Sequence, residues 1–137
     1  FVESNLGRSK TDRKKMAVLE TGGKAAATNY KTLENFNGAA ALVQCNLETG
    51  RTHQIRVHMA SIGCNLVGDQ LYVKSKKTSL KGLDEETKAF VNVFPRQALH
   101  AASLGFVHPR SGEKLQFSCG FPDDYLLLLD KLRGSRI

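Results

Sequence analysis

The feature that most constrains the fold is a long alternating segment that is divided by an Asn37-Gly38 pair. Residues 25–36 alternate between two sets of side chains and are enriched in Thr and Tyr, which strands favour. An Asn-Gly pair accepts the positive φ angles of a two-residue hairpin turn, and residues 39–47 alternate again. The sequence therefore predicts a long antiparallel hairpin over residues 24–48.

Shorter segments extend this hairpin into a sheet. Strands are predicted over three further stretches, residues 16–20, 98–108 and 114–119. Residues 1–15 are polar and basic, and they are predicted to form a basic arm or loop that either contacts phosphates or is simply solvated. Together these segments predict a single domain of the α+β class over residues 1–137, with a mainly antiparallel β-sheet and a few flanking helices.

Other segments have the spacing of helices. Apolar residues recur at helical spacing in residues 52–62, where Thr49 or Thr52 is the predicted cap and Gly63 the predicted end. Two further helices are predicted, beginning at Asp84 and at Pro122. These helices are expected to cover one face of the sheet.

The charge and the cysteines limit the class of protein. Lys and Arg number 20 against 13 Asp and Glu, a net charge of +7 that favours a polyanionic partner such as nucleic acid. The three cysteines are widely spaced and form no CxxC pair, which favours a reducing compartment, the cytoplasm, over a disulfide framework or a zinc site. No apolar run approaches the roughly 20 residues of a membrane span, so no membrane partner is expected.

The densest chemistry lies in residues 47–58, at the predicted junction between a strand and a helix. Two arginines, two histidines and a glutamine fall between positions 51 and 58. Free amides and the dipole at a helix start favour anions, which suits an anion-binding cluster. The alternative is structural: Arg51 as a surface charge, with His53 and His58 as half-buried histidines. The two histidines lie on different helix faces and are poor metal partners, so neither metal nor cofactor is expected.

The segment LETGRTHQIRVHMASIGCNLVGDQLY resembles the signature of RluA-type RNA pseudouridine synthases. The family pattern is roughly L-x-TGR-x-HQ-[IL]-R-V-H, followed by G-x-P-[IL]-x-GD-x-x-Y, and Asn65 stands here in place of the Pro. Three further stretches match in the family's order: residues 16–30, residues 96–101 (RQALHA) and residues 108–124. The resemblance covers nearly the whole chain and implies the C-terminal portion of a pseudouridine synthase catalytic domain.

One family segment is missing from these 137 residues. The family's nucleophilic Asp lies in an HRLD-x-x-TSG segment and its conserved Tyr in a K-x-Y-x-A motif, and neither motif occurs here. Because the chain also begins with Phe1 rather than Met, we expect it to be part of a longer enzyme. We further expect it to be inactive alone.

The resemblance also implies a reaction and a set of site residues. The reaction is the isomerisation of specific uridines to pseudouridine in ribosomal RNA, with transfer RNA as the alternative, and it needs no cofactor. Arg56 is implied as the partner of the missing Asp, and Ile55 as the residue that packs beside the flipped base. RNA contacts are expected from six further residues: Arg51, His53, Gln54, Lys74, Lys76 and Arg96.

Several of these residues have a structural alternative. His53 and Gln54 could brace Arg56 instead of contacting RNA, and Arg96 could brace the sheet. Asp69 is expected to cap or anchor a loop. Two other classes of function compete with the enzyme: a non-catalytic RNA-binding module, and a small hydrolase that pairs His53, His58 or His100 with a cysteine. The oligomeric state is left open.

Overall fold

The computed structural model describes residues 1–72 and 80–135. Its elements, in chain order, are β1 (Val2–Arg8), β2 (Met16–Leu19), β3 (Lys24–Phe36), β4 (Ala40–Leu47), α1 (Gln54–Ser61), α2 (Glu85–Asn92), β5 (Ser103–Val107), β6 (Lys114–Ser118) and α3 (Asp123–Gly134). The first four strands form one antiparallel sheet in the order β2-β1-β3-β4, and β5 and β6 form a separate antiparallel hairpin. The α+β class with mainly antiparallel strands is confirmed.

The predicted hairpin is formed by β3 and β4. Asn37 and Gly38 have φ angles of 55° and 74°, and the Ala39 amide donates to the Phe36 carbonyl at 3.0 Å. Two successive positive φ angles are what a hairpin turn of matching twist requires, and Asn-Gly tolerates them best. Phe36 pairs with Ala40, so three residues separate the strands rather than the predicted two, and the register shifts between Thr32 and Glu34.

The prediction of an irregular arm over residues 1–15 is wrong for its first half. Residues 2–8 form β1, which lies in the interior of the sheet between β2 and β3. Along β1 the inward positions are Val2, Ser4 and Leu6, and Leu6 is only 2% exposed. One large apolar side chain makes too weak an alternating pattern to recognise, and backbone pairing on both edges holds the strand in place.

Two apolar clusters form the core of the described residues. The larger one lies beneath α2 and α3 and contains Phe36, Leu80, Leu83, Val91, Phe94, Leu128, Leu129 and Leu132. The smaller one contains Leu6, Ala26, Val57 and Tyr72, and it seats α1 on β1 and β3. No helix in this part of the chain has the length and apolarity that crossing a bilayer requires. The smaller cluster is the one that positions the chemistry of residues 47–58.

Candidate active site

Helix α1 begins without the predicted threonine cap. Its N-cap is His53, which has left-handed backbone angles (φ 53°, ψ 23°) and makes no side-chain capping bond. Thr49 is engaged elsewhere, because its Oγ1 accepts from the Ala27 amide at 3.0 Å and donates to Gln54 Oε1 at 2.6 Å. The predicted end is confirmed, since Gly63 follows the helix with a φ of 82°.

Gln54 braces the loop before α1 against β3. Its Oε1 also accepts from the Arg51 amide at 3.0 Å, and its Nε2 donates to the Ala27 carbonyl and to Thr28 Oγ1, both at 2.9 Å. The residue is 2% exposed. A buried amide whose donors and acceptor are all engaged has little left for a ligand, which argues against RNA contact by Gln54. Its partners are Thr49, Arg51 and β3 rather than Arg56, so Gln54 braces the loop and not the arginine.

Arg56 and Asp69 form a two-point ion pair. Arg56 Nε donates to Oδ2 at 2.8 Å and Nη2 to Oδ1 at 2.9 Å, and the exposed fractions of the two side chains are 13% and 0%. Asp69 Oδ1 also accepts from the amides of Leu71 and Tyr72 at 3.0 and 3.1 Å, so its predicted role as a loop anchor is confirmed. Arg56 Nη1 makes no hydrogen bond to any residue in the described ranges.

Gly68 places this carboxylate. Its φ is +76°, and a Cβ at this position would collide with the carbonyl oxygen of Arg96. The close approach of the two segments is extended by the Ala98 amide, which donates to the Val67 carbonyl at 2.8 Å. Only glycine allows both the backbone angle and the contact, which explains the Gly before Asp69 in the matched motif.

Tyr72 lies under the guanidinium and connects it to His53. Arg56 Cζ is 5.0 Å from the centroid of the Tyr72 ring, within cation–π range. Tyr72 Oη accepts from the Met16 amide at 2.9 Å and lies 2.7 Å from His53 Nδ1. Burial, followed by the positive charge of Arg56, lowers the pKa of His53 and favours its neutral form. The arginine is therefore held on one edge by Asp69 and on one face by Tyr72.

The ion pair keeps both of its members charged. Burial alone would raise the pKa of Asp69, but hydrogen bonds from Arg56 and from the Tyr72 and Leu71 amides lower it overall. The hydrogen bond to Asp69 is in turn the main cause that raises the pKa of Arg56. What results is a permanently charged, rigidly held guanidinium whose Nη1 edge can meet a second anion.

His58 is fully buried between β1 and β3. Its Nδ1 lies 2.8 Å from Thr28 Oγ1 and its Nε2 lies 2.9 Å from Ser4 Oγ. Each ring nitrogen of His58 therefore faces a hydroxyl, and in either neutral tautomer one nitrogen donates while the other accepts. Neutral His58 thus joins α1 to both strands, and burial lowers the pKa of its imidazole.

We expect stability to fall as the pH drops below about 6.5, the ordinary pKa of His in an unfolded chain. His53 and His58 both have a lowered pKa when folded, so between the two values the unfolded chain binds more protons. Stability is complete above the unfolded value and declines as the pH approaches the folded one. Urea unfolding from about pH 7.5 to about pH 5.5 measures this, and His58→Gln should flatten the profile. A flat wild-type profile would contradict two neutral, partly desolvated imidazoles.

The remaining predicted residues lie outside this ion pair. Ile55 is half-buried beside Arg56 on α1, and the Arg51 guanidinium donates from Nε to the Ala25 carbonyl at 2.9 Å. Arg96 pairs with Asp124 at two points, both 2.8 Å, which favours a bracing role. The other two predicted contacts, Lys74 and Lys76, lie outside the described residues.

The hydrolase alternative gains no support. His100 Nε2 lies 3.6 Å from Cys119 Sγ, at an exposed position, and its ring otherwise contacts Phe121 and Tyr125. In residues 1–72 and 80–135, no carboxylate orients this imidazole, as a nucleophile–base pair would need. Over the same ranges no group of three or more His, Cys, Asp or Glu side chains is arranged to hold a metal ion.

The ion pair was not predicted, although both of its residues lie in the matched motif. Asp69 was assigned to the loop alone, and Tyr72 was given no role. The available signal was charge: a buried arginine needs a carboxylate, and the matched segment contains two acidic residues, Glu48 and Asp69. The sequence could have suggested the pair, but spacing could not have shown that α1 and the loop meet.

Comparisons with known proteins identify relatives of this chain. The sequence model of a family described as RNA pseudouridylate synthase matches residues 2–61. Ribosomal large subunit pseudouridine synthase D of Zymomonas mobilis is 46% identical over 132 residues, which cover 96% of this chain and 39% of the relative. An uncharacterised RNA pseudouridine synthase of Bacillus subtilis is 43% identical over 132 residues, covering 96% and 38%. The chain belongs to the RNA pseudouridine synthase family.

A solved structure supports the fold of this chain. Human RNA pseudouridylate synthase domain containing 1 superposes with a TM-score of 0.65 over 96% of this chain and 58% of that chain, at 24% identity. At this identity the likeness bears on the fold alone. The chain spans about 39% and 38% of the lengths of the two bacterial relatives, so it corresponds to a part of each.

Proposed function

We propose that this chain supplies the arginine side of the catalytic site of a pseudouridine synthase that acts on ribosomal RNA. The observation that carries the proposal is the Arg56 guanidinium, which stands in the family motif, is held by Asp69 and Tyr72, and has Nη1 unbonded among the described residues. Ribosomal RNA is favoured over transfer RNA because the Zymomonas mobilis relative is named for the large ribosomal subunit. A cytoplasmic location is part of the same proposal.

The reaction explains why such an arginine is needed. Isomerisation breaks the bond between ribose C1′ and N1 of the base, turns the base and forms a bond from C1′ to C5, which loses its proton. A carboxylate acts at the sugar inside a closed pocket, where an unpaired negative charge is costly. Arginine is always protonated and presents five donors, so Arg56 can hold Asp69 with Nε and Nη2 and meet a second carboxylate with Nη1.

The same region would receive the target nucleotide. A uridine must leave its stack to reach the pocket, which costs a few kcal/mol, and contacts with phosphates offset this cost. Ile55, next to Arg56 on α1, is proposed to pack beside the flipped base. Arg51 is proposed to contact phosphate because, among the described residues, its side chain bonds through Nε alone. Lys74 and Lys76 remain predicted contacts.

A second function is a non-catalytic RNA-binding module. The observation in its favour is that the charge of Arg56 is already matched by the carboxylate of Asp69. Such a module would bind RNA and leave the pseudouridine content of ribosomal RNA unchanged. One experiment on RNA from a deletion strain separates the two functions.

Deletion of the gene that encodes this chain is expected to remove one or a few pseudouridines from ribosomal RNA. Sequencing after carbodiimide treatment maps them, with RNA from the parent strain as the control, and an unchanged ribosomal map would contradict the proposed function. The unmodified RNA is then incubated with the purified 137-residue chain. No pseudouridine should form, because Asp69 is buried and held by Arg56. If pseudouridine did form, the reaction would not need a second carboxylate beside Arg56.

A further inference from the structure

The turn between β1 and β2 concentrates positive charge beside the candidate site. Five basic residues fall within eight positions: Arg8, Lys10, Arg13, Lys14 and Lys15. None of the five forms an ion pair with a residue in the described part of the chain. By contrast, the basic side chains of α2 and α3, which are Lys88, Lys131 and Arg133, each pair with a glutamate. Unmatched charge is therefore a property of this turn and not of the helical side.

The turn, residues 8–15, is internally ordered. Ser9 Oγ accepts from the amides of Thr11 and Asp12 at 3.3 and 3.2 Å, and the Ser9 amide donates to the Lys15 carbonyl at 2.9 Å. Asp12 Oδ1 accepts from the Lys14 amide at 3.1 Å, so the acidic residue of the turn shapes its backbone. A backbone that is already ordered loses less conformational entropy on binding than a disordered arm would lose.

The turn is joined to the candidate site. Met16, which directly follows it, donates its amide to Tyr72 Oη at 2.9 Å, and the Tyr72 ring carries the Arg56 guanidinium. Burial first, then the positive charge of Arg56 and to a smaller extent that of Arg8, lower the pKa of His53. One hydrogen bond and one aromatic ring thus connect the segment that follows the basic turn to the guanidinium.

We propose that residues 8–15 bind the phosphates of the RNA strand that flanks the target uridine. The proposal rests on the proposed function, and it adds a surface that the matched family motifs do not include. Long, exposed cations on an ordered turn suit a backbone of regularly spaced phosphates, which needs charge and reach more than base-specific hydrogen bonds. The turn would hold the strand while Arg56 serves the chemistry.

The test compares two variants of equal net charge. One neutralises the turn with Lys10→Gln, Arg13→Gln, Lys14→Gln and Lys15→Gln. The control neutralises four charges elsewhere, on α2, α3 and the β5–β6 turn, with Lys88→Gln, Lys131→Gln, Arg110→Gln and Lys114→Gln. Each changes the net charge of the chain from +7 to +3. Circular dichroism and thermal unfolding confirm that both variants are folded before binding is compared.

Binding is measured by fluorescence anisotropy with a labelled single-stranded RNA of about 20 nucleotides, over a range of salt concentrations. Each lost phosphate contact lowers the salt slope by about 0.7, so the turn variant should lose about 2 to 3 from the slope, with at least a tenfold loss of affinity at low salt. The control should keep most of both.

Three outcomes would overturn the proposal. They are an equal loss of RNA affinity in both variants, no RNA binding by the wild-type chain, or binding of the wild-type chain to polyglutamate of similar charge as tightly as to RNA. The last would assign the turn to acidic proteins. None of these outcomes bears on the pseudouridine map of the deletion strain, so a failure of the RNA-binding turn is distinguishable from a failure of the proposed function.

Discussion

Replacing Arg56 with alanine is expected to lower pseudouridine formation by about 10³-fold or more while RNA affinity changes little. The guanidinium is held by Asp69 and Tyr72 at the proposed reaction site, whereas affinity for RNA comes mainly from many separate phosphate contacts. Turnover is measured with the active protein that the gene encodes, carrying the substitution. The assay follows the release of tritium from RNA that is labelled at C5 of uridine. Affinity is measured on the same variant by anisotropy.

Two further variants make this result interpretable. Arg56→Lys keeps a positive charge beside the buried Asp69, so the fold should survive, but one ammonium cannot reproduce the planar fork that serves two carboxylates. It should also lose most turnover. Arg133→Ala is the matched control, because it removes an arginine from an exposed ion pair with Glu34 and should leave turnover within a few-fold. Normal turnover in Arg56→Ala would remove this residue from the proposed role.

Replacing Asp69 with alanine is expected to destabilise the 137-residue chain by about 3 kcal/mol or more. The change leaves a largely buried guanidinium without its carboxylate, and it leaves the amides of Leu71 and Tyr72 without an acceptor. Each change costs free energy because the guanidinium and the two amides stay buried away from water but lose their hydrogen-bond acceptor. Urea unfolding of the wild type and the variant gives the difference in free energy.

Two comparisons assign this loss to its cause. In Asp69→Asn the amide oxygen can still accept from the Leu71 and Tyr72 amides, but its NH2 group faces Arg56 Nε, so a smaller loss is expected. Asp124→Ala breaks a pair with the same two-point geometry, at 2.8 Å for both contacts, whose side chains are 38% and 43% exposed. Water can replace the lost partner there, so the loss should be much smaller. Equal losses for Asp69 and Asp124 would show that burial of the pair is unimportant.

The parts of the fold that were predicted correctly are those determined by neighbours in the chain. The Asn37-Gly38 turn needs only two residues that accept positive φ, and the alternation on either side of it identifies two strands. Helix α1 was predicted from apolar residues spaced at one helical face, and its end from Gly63. In each case the physical cause acts over a few residues, so a single sequence is sufficient.

The errors have the opposite origin. Residues 2–8 were predicted to be irregular because they are polar, but strand β1 is held by pairing with residues 16–19 and 24–28. The threonine cap was wrong for Thr49 because its hydroxyl accepts from the Ala27 amide in β3 and donates to the Gln54 side chain in α1. A hydroxyl that has a partner from another strand is no longer available to the helix beside it.

The sequence by itself determined the hairpin, the helices and the motif that relates this chain to pseudouridine synthases, since each is written in adjacent residues. Only the tertiary structure decided what the motif residues contact. Arg56 meets Asp69 across 13 positions, and His58 meets Ser4 across 54. Such contacts depend on which segments pack together, because the cost of burying a charge or an imidazole is offset only by a partner that the fold brings within bonding distance.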